Sequence, residues 1–387
     1  MSLTLFQKNS DKASKEAPLT CAHFNSCGGC TSQELPYSLQ ATQKEESIRL
    51  LFGKTSPLIE APSPWRYRNK MEYSFGYVKG LLTLGLYKKH GEIEDLYECL
   101  IAPLWFMEIV EITRKWGQEY GLKSYYPRRD RGHLRTLTLR ETSKGRMAIL
   151  TISGHPDYAV SSIAIDSLLE RMPLLSFFIC TQVLKKKEPT QFLLEHLRGD
   201  AQIEEIFTVN MPSGNPQSFS FFLEPLAFLQ PNIPQAEKIY EKALKMANIQ
   251  PHETVLDLYC GMATLSHFAS LLAHEVIGIE INPAAIKSAN KNIAYNKRLN
   301  IRVIEGDATH LPKADVVFVD PPRVGLSSDT ISALIALKPS RIIYISCNPI
   351  TQQKDIAALG YVAHTIQPVD QFPQTPHIEN IVLLCAL

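Results

Sequence analysis

No run of eighteen apolar residues occurs in the 387-residue chain, so nothing in it reads as a membrane-spanning helix. Residues 1–20 lack the apolar core of a signal peptide and read as a frayed tail. Internal repeats and low-complexity stretches are also missing, which excludes a repeat architecture. Charge of one sign is not in excess either: 40 Lys and Arg face 39 Asp and Glu, a net +1. That balance neither announces nor excludes a nucleic-acid partner. Without a secretory signal, the eight cysteines fit a reducing, cytoplasmic compartment, where thiols serve as metal ligands or nucleophiles rather than disulfides.

What is present is a soluble, globular composition long enough for two or three domains. The cysteines are uneven. Cys21, Cys27 and Cys30 crowd together, with five and then two residues between them, and Gly28-Gly29 lets the backbone wrap closely around an inorganic group. Cys99 is the nearest fourth ligand, and three thiolates plus one suit an iron–sulfur cluster. Zinc is the competitor, and uncoordinated core thiols are a third reading. The spacing of three then two residues used in radical chemistry is absent, and His23 reads as an exposed loop residue. Basic residues cluster at Arg66, Arg68 and Lys70, at Arg128, Arg129, Arg131 and Arg135, and at Lys185, Lys186 and Lys187. Trp65, Tyr67, Tyr125 and Tyr126 interleave the first two clusters and could stack on unpaired bases.

Residues 33–51 carry a helical pattern with Leu35, Leu39, Ile48 and Leu51 as its apolar positions, and Pro57, Pro62 and Pro64 then break the chain. From 67 to about 209, alternating segments at 73–77, 134–140 and 147–152 read as half-buried antiparallel strands. Helices are expected over 104–120 and 161–172. Beyond Pro231 and Pro234 the pattern changes to a helix over 235–248, then alternating strands and helices, as in a parallel sheet. Strands are expected at 254–258, 276–280, 301–305, 316–320, 341–346, 361–366 and 381–384, with a strong helix over 284–296. The expected fold is α/β: a seven-stranded, doubly wound Rossmann-like domain over 226–387. An α+β middle domain, 61–225, and a small cysteine-bearing segment, 21–60, precede it.

Motifs with chemical content fall at the carboxyl ends of these strands, where open α/β sheets bind ligands. Asp257-Leu-Tyr-Cys-Gly261 turns into a helix with only one glycine, which disfavours pyrophosphate. Glu280, about twenty residues on, is placed for ribose hydroxyls, and Asp307 for an adenine amino group. Each acid alone could be a cap or a solvated loop residue; in register they point to S-adenosylmethionine. Asp320-Pro-Pro-Arg323 is a stiff turn whose Arg323 replaces the aromatic that amino-group methyltransferases use, so methylation of nitrogen is disfavoured. Ser346-Cys347-Asn348-Pro349 closes the fifth strand, and on its own Cys347 could be a core thiol. With Glu379 it suggests a specific reaction. Uracil C5 becomes nucleophilic once a thiolate adds to C6, and a base must then remove the C5 proton.

Six elements together resemble the RNA uracil-5-methyltransferases: Cys21…Cys27-Gly-Gly-Cys30, Phe228-Leu-Gln230-Pro-Asn232, Asp257-Leu-Tyr-Cys-Gly261, Asp320-Pro-Pro-Arg323, Ser346-Cys347-Asn348-Pro349 and Phe372-Pro-Gln-Thr-Pro-His377-Ile-Glu379. The resemblance covers nearly everything from Cys21 onward and implies a class I methyltransferase domain. It implies Cys347 as nucleophile and Glu379 as base. Cofactor contacts are implied for Gln230, Tyr259, Thr264, Glu280, Asp307 and Asp320, and a [4Fe–4S] cluster for Cys21, Cys27, Cys30 and Cys99. The cluster-bearing branch acts mainly on large-subunit ribosomal RNA, so the expected partner is 23S rRNA, bound through the middle domain by a monomer. Transfer RNA is the alternative substrate, and a non-catalytic RNA-binding assembly factor is the alternative of another class. The target base must leave its stack to reach Cys347. Three departures stand out: with only about twenty residues before Cys21, the small RNA-binding β-barrel of some members is expected to be missing; the motif glycine after Met262 is Ala263, which is expected to fit but to sit close to the cofactor; and Pro231 within the Gln230 motif is unremarkable in an extended segment.

Overall fold

The computed structural model describes residues 19–88, 90–184 and 188–386; Lys185, Lys186 and Lys187 and most of the expected tail lie outside them. After the cysteine loop comes α1 (Tyr37–Phe52), ended by Gly53 in the left-handed conformation with its amide on the Arg49 carbonyl. α1 starts later than its periodicity suggests because Pro36 disfavours helix in the residue before it. Its buried residues are Gln40, Ala41, Lys44 and Ile48. Only Ile48 belongs to the apolar set expected from the sequence; this face is largely polar.

The middle region contains β1 (Lys70–Val78), β2 (Leu81–Tyr87), β3 (Ile93–Asp95), α2 (Leu104–Glu119), β4 (Leu134–Glu141), β5 (Arg146–Ser153), α3 (Ser162–Arg171), β6 (Ser176–Val183) and β7 (Gln191–Arg198). Lys79 and Gly80, both at positive φ, form the two-residue turn between β1 and β2. The sheet runs β3-β2-β1-β4-β5-β6-β7. It is not wholly antiparallel, as its alternation suggests, because β5 and β6 pair in parallel. The physical reason is α3, which crosses between them and returns the chain in the same direction. The helices cover one face, where the Trp116 indole N–H donates to the Ala164 carbonyl at 2.7 Å.

A hairpin of β8 (Ile203–Asn210) and β9 (Pro216–Leu223) follows. Its Phe207 and Phe221 bury in one core with Ile239 of α4 (Ile233–Ala247) and Val255 of β10 (Thr254–Leu258). The remaining elements are α5 (Thr264–Ala269), β11 (Glu275–Glu280), α6 (Pro283–Tyr295), β12 (Ile301–Glu305), β13 (Val316–Val319), α7 (Ser328–Leu337), β14 (Arg341–Ser346), α8 (Pro349–Leu359), β15 (Val362–Val369) and β16 (Glu379–Cys385). They build a second seven-stranded sheet, β12-β11-β10-β13-β14-β16-β15. Six strands run in one direction, and β16 runs antiparallel between β14 and β15. This is the doubly wound sheet expected from the sequence. β15 extends past its expected end, through Pro368, because it is an edge strand and needs no donor on its open side. α1 packs on α8 and β15, so the N-terminal helix closes onto the far end of the chain. Among the described residues no helix is long and apolar enough to cross a membrane.

Arg140 of β4 joins the two sheets. It is 2% exposed, and its guanidinium donates to the carbonyls of Glu224 at 3.2 Å, Pro225 at 2.8 Å and Ala227 at 2.5 Å. Burial lowers its pKa to about 10. The carbonyls it holds immediately precede Phe228-Leu229-Gln230. Replacement by Met leaves them without that donor in a dry environment, at a cost of about 2–4 kcal/mol. Urea denaturation of Arg140→Met should show that loss, with faster amide exchange confined first to 224–230.

Candidate active site

The carboxyl ends of the parallel strands lie side by side in the order β12, β11, β10, β13, β14. The chain leaving β10 must reverse quickly into α5, and it does so with Tyr259, Gly261 and Ala263 all left-handed, φ 62°, 55° and 64°. Only glycine takes that conformation without strain, so Tyr259 and Ala263 are held there by their surroundings. The turn opens a pocket of about 510 Å³ whose wall includes Phe228, Gln230, Tyr259, Thr264 and Asp320. Four of the six expected cofactor contacts therefore meet in one cavity. Ala263 is fully buried and outside the wall, so its methyl group does not crowd the pocket.

Glu280 and Asp307 end the neighbouring strands but do not line this cavity. Glu280 accepts the amides of Gly261 at 3.0 Å and of Ile281 and Asn282 at 2.9 Å each, which braces the turn after β10. Asp307 is exposed and accepts from the Thr309 hydroxyl at 2.6 Å. That hydrogen bond, with the Thr309 amide, lowers its pKa. Two pocket residues escaped sequence reasoning. In the sequence Asp257 reads only as part of its turn, and Tyr240 as one more buried position of α4.

Buried carboxyls dominate the pocket floor. Burial pushes Asp257 up to about 7, against the opposing pull of the Ser266 hydroxyl, which donates to it at 2.5 Å. Asp320 is raised as well, by burial and by the charge of Asp257. Glu379, 5% exposed, is raised well above an ordinary carboxyl by burial and by Asp320, with Arg323 pulling the other way. Such a cluster is matched to a ligand that brings positive charge.

The register of β16 on β14 places the two residues expected to do the chemistry. Ser346 pairs with Asn380, so Cys347 and Glu379, each one residue beyond that pair, come together. Burial raises the Cys347 thiol, Glu379 raises it further, and Arg323 lowers it. Arg323 thus favours the ionised form of both Cys347 and Glu379. Its Nη2 also donates to His377 Nδ1 at 3.1 Å, and His377 is kept neutral by burial and by the charges of Arg323, Lys44 and Arg68. Arg323 is therefore engaged with the thiol and the imidazole.

Cys21, Cys27, Cys30 and Cys99 line a second, smaller pocket. The Gly29 amide donates to the Cys27 sulfur at 3.3 Å and the His23 amide to Cys21 at 3.5 Å. Burial pushes Cys27 up to about 11 and Cys30 up to about 12, with the neighbouring thiols adding to each. No group of three or more His, Cys, Asp or Glu among the described residues is arranged to hold a single metal ion. His23 is not an exposed loop residue. It is 3% exposed, its Nε2 accepts from the Tyr97 amide at 3.2 Å and its Nδ1 meets Glu94 at 2.9 Å. The carboxylate and the amide fix the ring, which is why a loop histidine ends up buried.

Comparison with known proteins agrees with this geometry. Residues 310–387 match the tRNA (uracil-5-)-methyltransferase family, and 255–320 match a general methyltransferase domain. An uncharacterized RNA methyltransferase of Protochlamydia amoebophila is 40% identical over 94% of this chain and 90% of its own length. Another, from Chlamydia muridarum, is 36% identical over 94% and 97%. In fold, the chain is similar to the Pyrococcus abyssi tRNA (uracil-54, C5)-methyltransferase solved with S-adenosyl-L-homocysteine: TM-score 0.72, 24% identity, 92% of this chain and 86% of that one. With its pocket at the strand ends and its paired cysteine and glutamate, the chain belongs to the RNA uracil-5-methyltransferase family of S-adenosylmethionine-dependent enzymes.

Proposed function

We propose that this protein is a cytoplasmic enzyme that methylates C5 of a uridine in 23S ribosomal RNA through a covalent adduct between Cys347 and C6. The observation that carries the reading is the juxtaposition of Cys347 and Glu379, with Glu379 close enough to Asp320 of the pocket wall to feel its charge. When bound, S-adenosylmethionine supplies an electrophilic methyl on a sulfonium, and Asp257 and Asp320 are the carboxyls suited to that charge. Gln230, Tyr259 and Thr264 would hold it from the pocket wall. Glu280 and Asp307 would reach it only beyond that wall.

Cys347 Sγ, with Arg323 favouring its thiolate, forms a bond to C6 and shifts the C5–C6 electron pair onto the enolate, so that C5 can take a methyl group. Once C5 is methylated, Glu379 accepts the C5 proton. The C–H electrons re-form the C5–C6 double bond, and the C6–sulfur pair returns to Cys347. The raised pKa of Glu379 makes it a stronger base when ionised, and Arg323 is the group that keeps ionisation within reach.

Ribosomal RNA is favoured because the cysteine quartet resembles the branch acting on it. Transfer RNA is the second reading, favoured by the names of the matching family and of the similar archaeal structure. In the middle region Arg128, Arg129 and Arg131 are exposed beside the half-exposed Tyr126, a surface suited to phosphates and an unpaired base. Cys21, Cys27, Cys30 and Cys99 would hold a [4Fe–4S] cluster: four thiols share one pocket, and amides point at two of the sulfurs.

Mapping of 5-methyluridine in RNA from cells lacking the gene should show a mark missing from 23S rRNA, restored by the wild-type gene and not by Cys347→Ala. A mark lost from transfer RNA instead would select the second reading. Glu379→Gln should accumulate a covalent RNA adduct on denaturing gels. Arg323→Gln removes a cation that lowers the Cys347 pKa, so the rise of adduct formation with pH should move to higher pH. Anaerobically purified protein should contain about four iron atoms per chain; zinc without iron would remove the cluster.

A further inference from the structure

Residues 370–378 connect β15 to β16 and set where His377 and Glu379 point. The segment has no regular structure of its own, and Gln374 within it is left-handed at φ 67°. Much of what holds it comes from the N-terminal end of the chain. Lys44 Nζ donates to Asp370 Oδ1 at 2.6 Å and to the Phe372 carbonyl at 3.0 Å. Lys44 and Asp370 are 5% and 0% exposed. Gln40 grips Gln374 twice: its Nε2 donates to Gln374 Oε1 at 2.9 Å, and its Oε1 accepts the Gln374 amide at 3.1 Å. The Tyr67 hydroxyl donates to the Pro373 carbonyl at 2.9 Å. Gln40 and Lys44 lie one turn apart, so a single face of α1 meets the segment. A polar face this deeply buried is expensive unless every group is used, and here Lys44 and Gln40 each make at least two hydrogen bonds.

We propose that Gln40, Lys44 and Tyr67 are positioning residues for the segment that carries Glu379, and that they govern the proton-removal half of the reaction rather than adduct formation. The inference rests on the reading of Cys347 as nucleophile and Glu379 as base. Cys347 lies between β14 and α8, and none of the side-chain hydrogen bonds given above for these three residues reaches Cys347 or its neighbours. Glu379 follows directly from the segment they do hold. Loosening it displaces the base relative to the C5 proton while leaving the thiol in place, and a displacement of about 1 Å costs on the order of 100-fold in rate.

The experiment is single-turnover kinetics with 23S rRNA transcript and S-adenosylmethionine, following the RNA adduct on denaturing gels and methyl incorporation in parallel. Tyr67→Phe, which removes only a hydroxyl, and Gln40→Ala should form adduct within about twofold of the wild-type rate. They should release it roughly 10- to 100-fold more slowly, so methylated adduct accumulates as in Glu379→Gln. Lys44→Met should behave likewise if it folds; the other two variants keep the test independent of that. Parallel slowing of both halves, or wild-type release in Tyr67→Phe and Gln40→Ala while Glu379→Gln still traps adduct, would overturn the positioning role alone. Absence of adduct in Glu379→Gln would instead overturn the covalent reading beneath it.

Discussion

Six backbone pairs between β14 and β16, from Arg341–Cys385 to Ser346–Asn380, hold the functional end of the molecule together. A final strand running antiparallel into a parallel sheet starts where its neighbour stops. The beginning of β16 and the end of β14 therefore share one edge, and two side chains more than thirty residues apart in sequence become neighbours. A one-residue slip would turn Glu379 to the opposite face of the sheet. Val382 and Leu384, buried with Tyr344 and Ile342 of the partner strand on one face, and Ile381, buried with Ile345 on the other, make that slip costly. Hydrophobic register thus secures a polar relationship.

Electrostatics in the pocket follow from the same placement. Asp257, Asp320 and Glu379 are driven toward the neutral state by burial and by one another. Arg323 enters from the stiff Asp320-Pro-Pro-Arg323 turn and works in the other direction on Cys347 and Glu379. The two prolines limit where that guanidinium can go. Its contact with His377, and the bond from Asn348 Nδ2 to the Arg323 carbonyl at 3.0 Å, tie the turn to both flanking segments.

Much of this was legible in the sequence. Short β-branched runs such as Val255-Leu-Asp-Leu and Ile342-Ile-Tyr-Ile can only be buried strands, and their acidic or thiol termini mark the ligand edge. Distances were not legible, because the pairing of Cys347 with Glu379 depends on β16 lying inside the sheet rather than at its edge. α1 was the weakest reading. Leu35, Leu39, Ile48 and Leu51 suggest an apolar face, yet only Ile48 of these is buried, together with Gln40 and Lys44. Periodicity reports hydrophobic faces, and this one is polar because its partners are backbone carbonyls, an amide and a buried aspartate. Glu280 was read as a ribose ligand from its position alone. Nothing in the sequence said that three backbone amides would occupy it.

The Thr31 amide donates to the Gln374 carbonyl at 3.0 Å, and Gln40 Nε2, which holds Gln374, also donates to the carbonyls of Ser32 and Leu35 at 2.9 Å each. One residue after Cys30, the chain is already bonded to the segment that leads into Glu379. These bonds tie the thiol loop to residues 370–378. Free energy that stabilises either is shared by the other, and thermodynamic linkage makes the effect reciprocal.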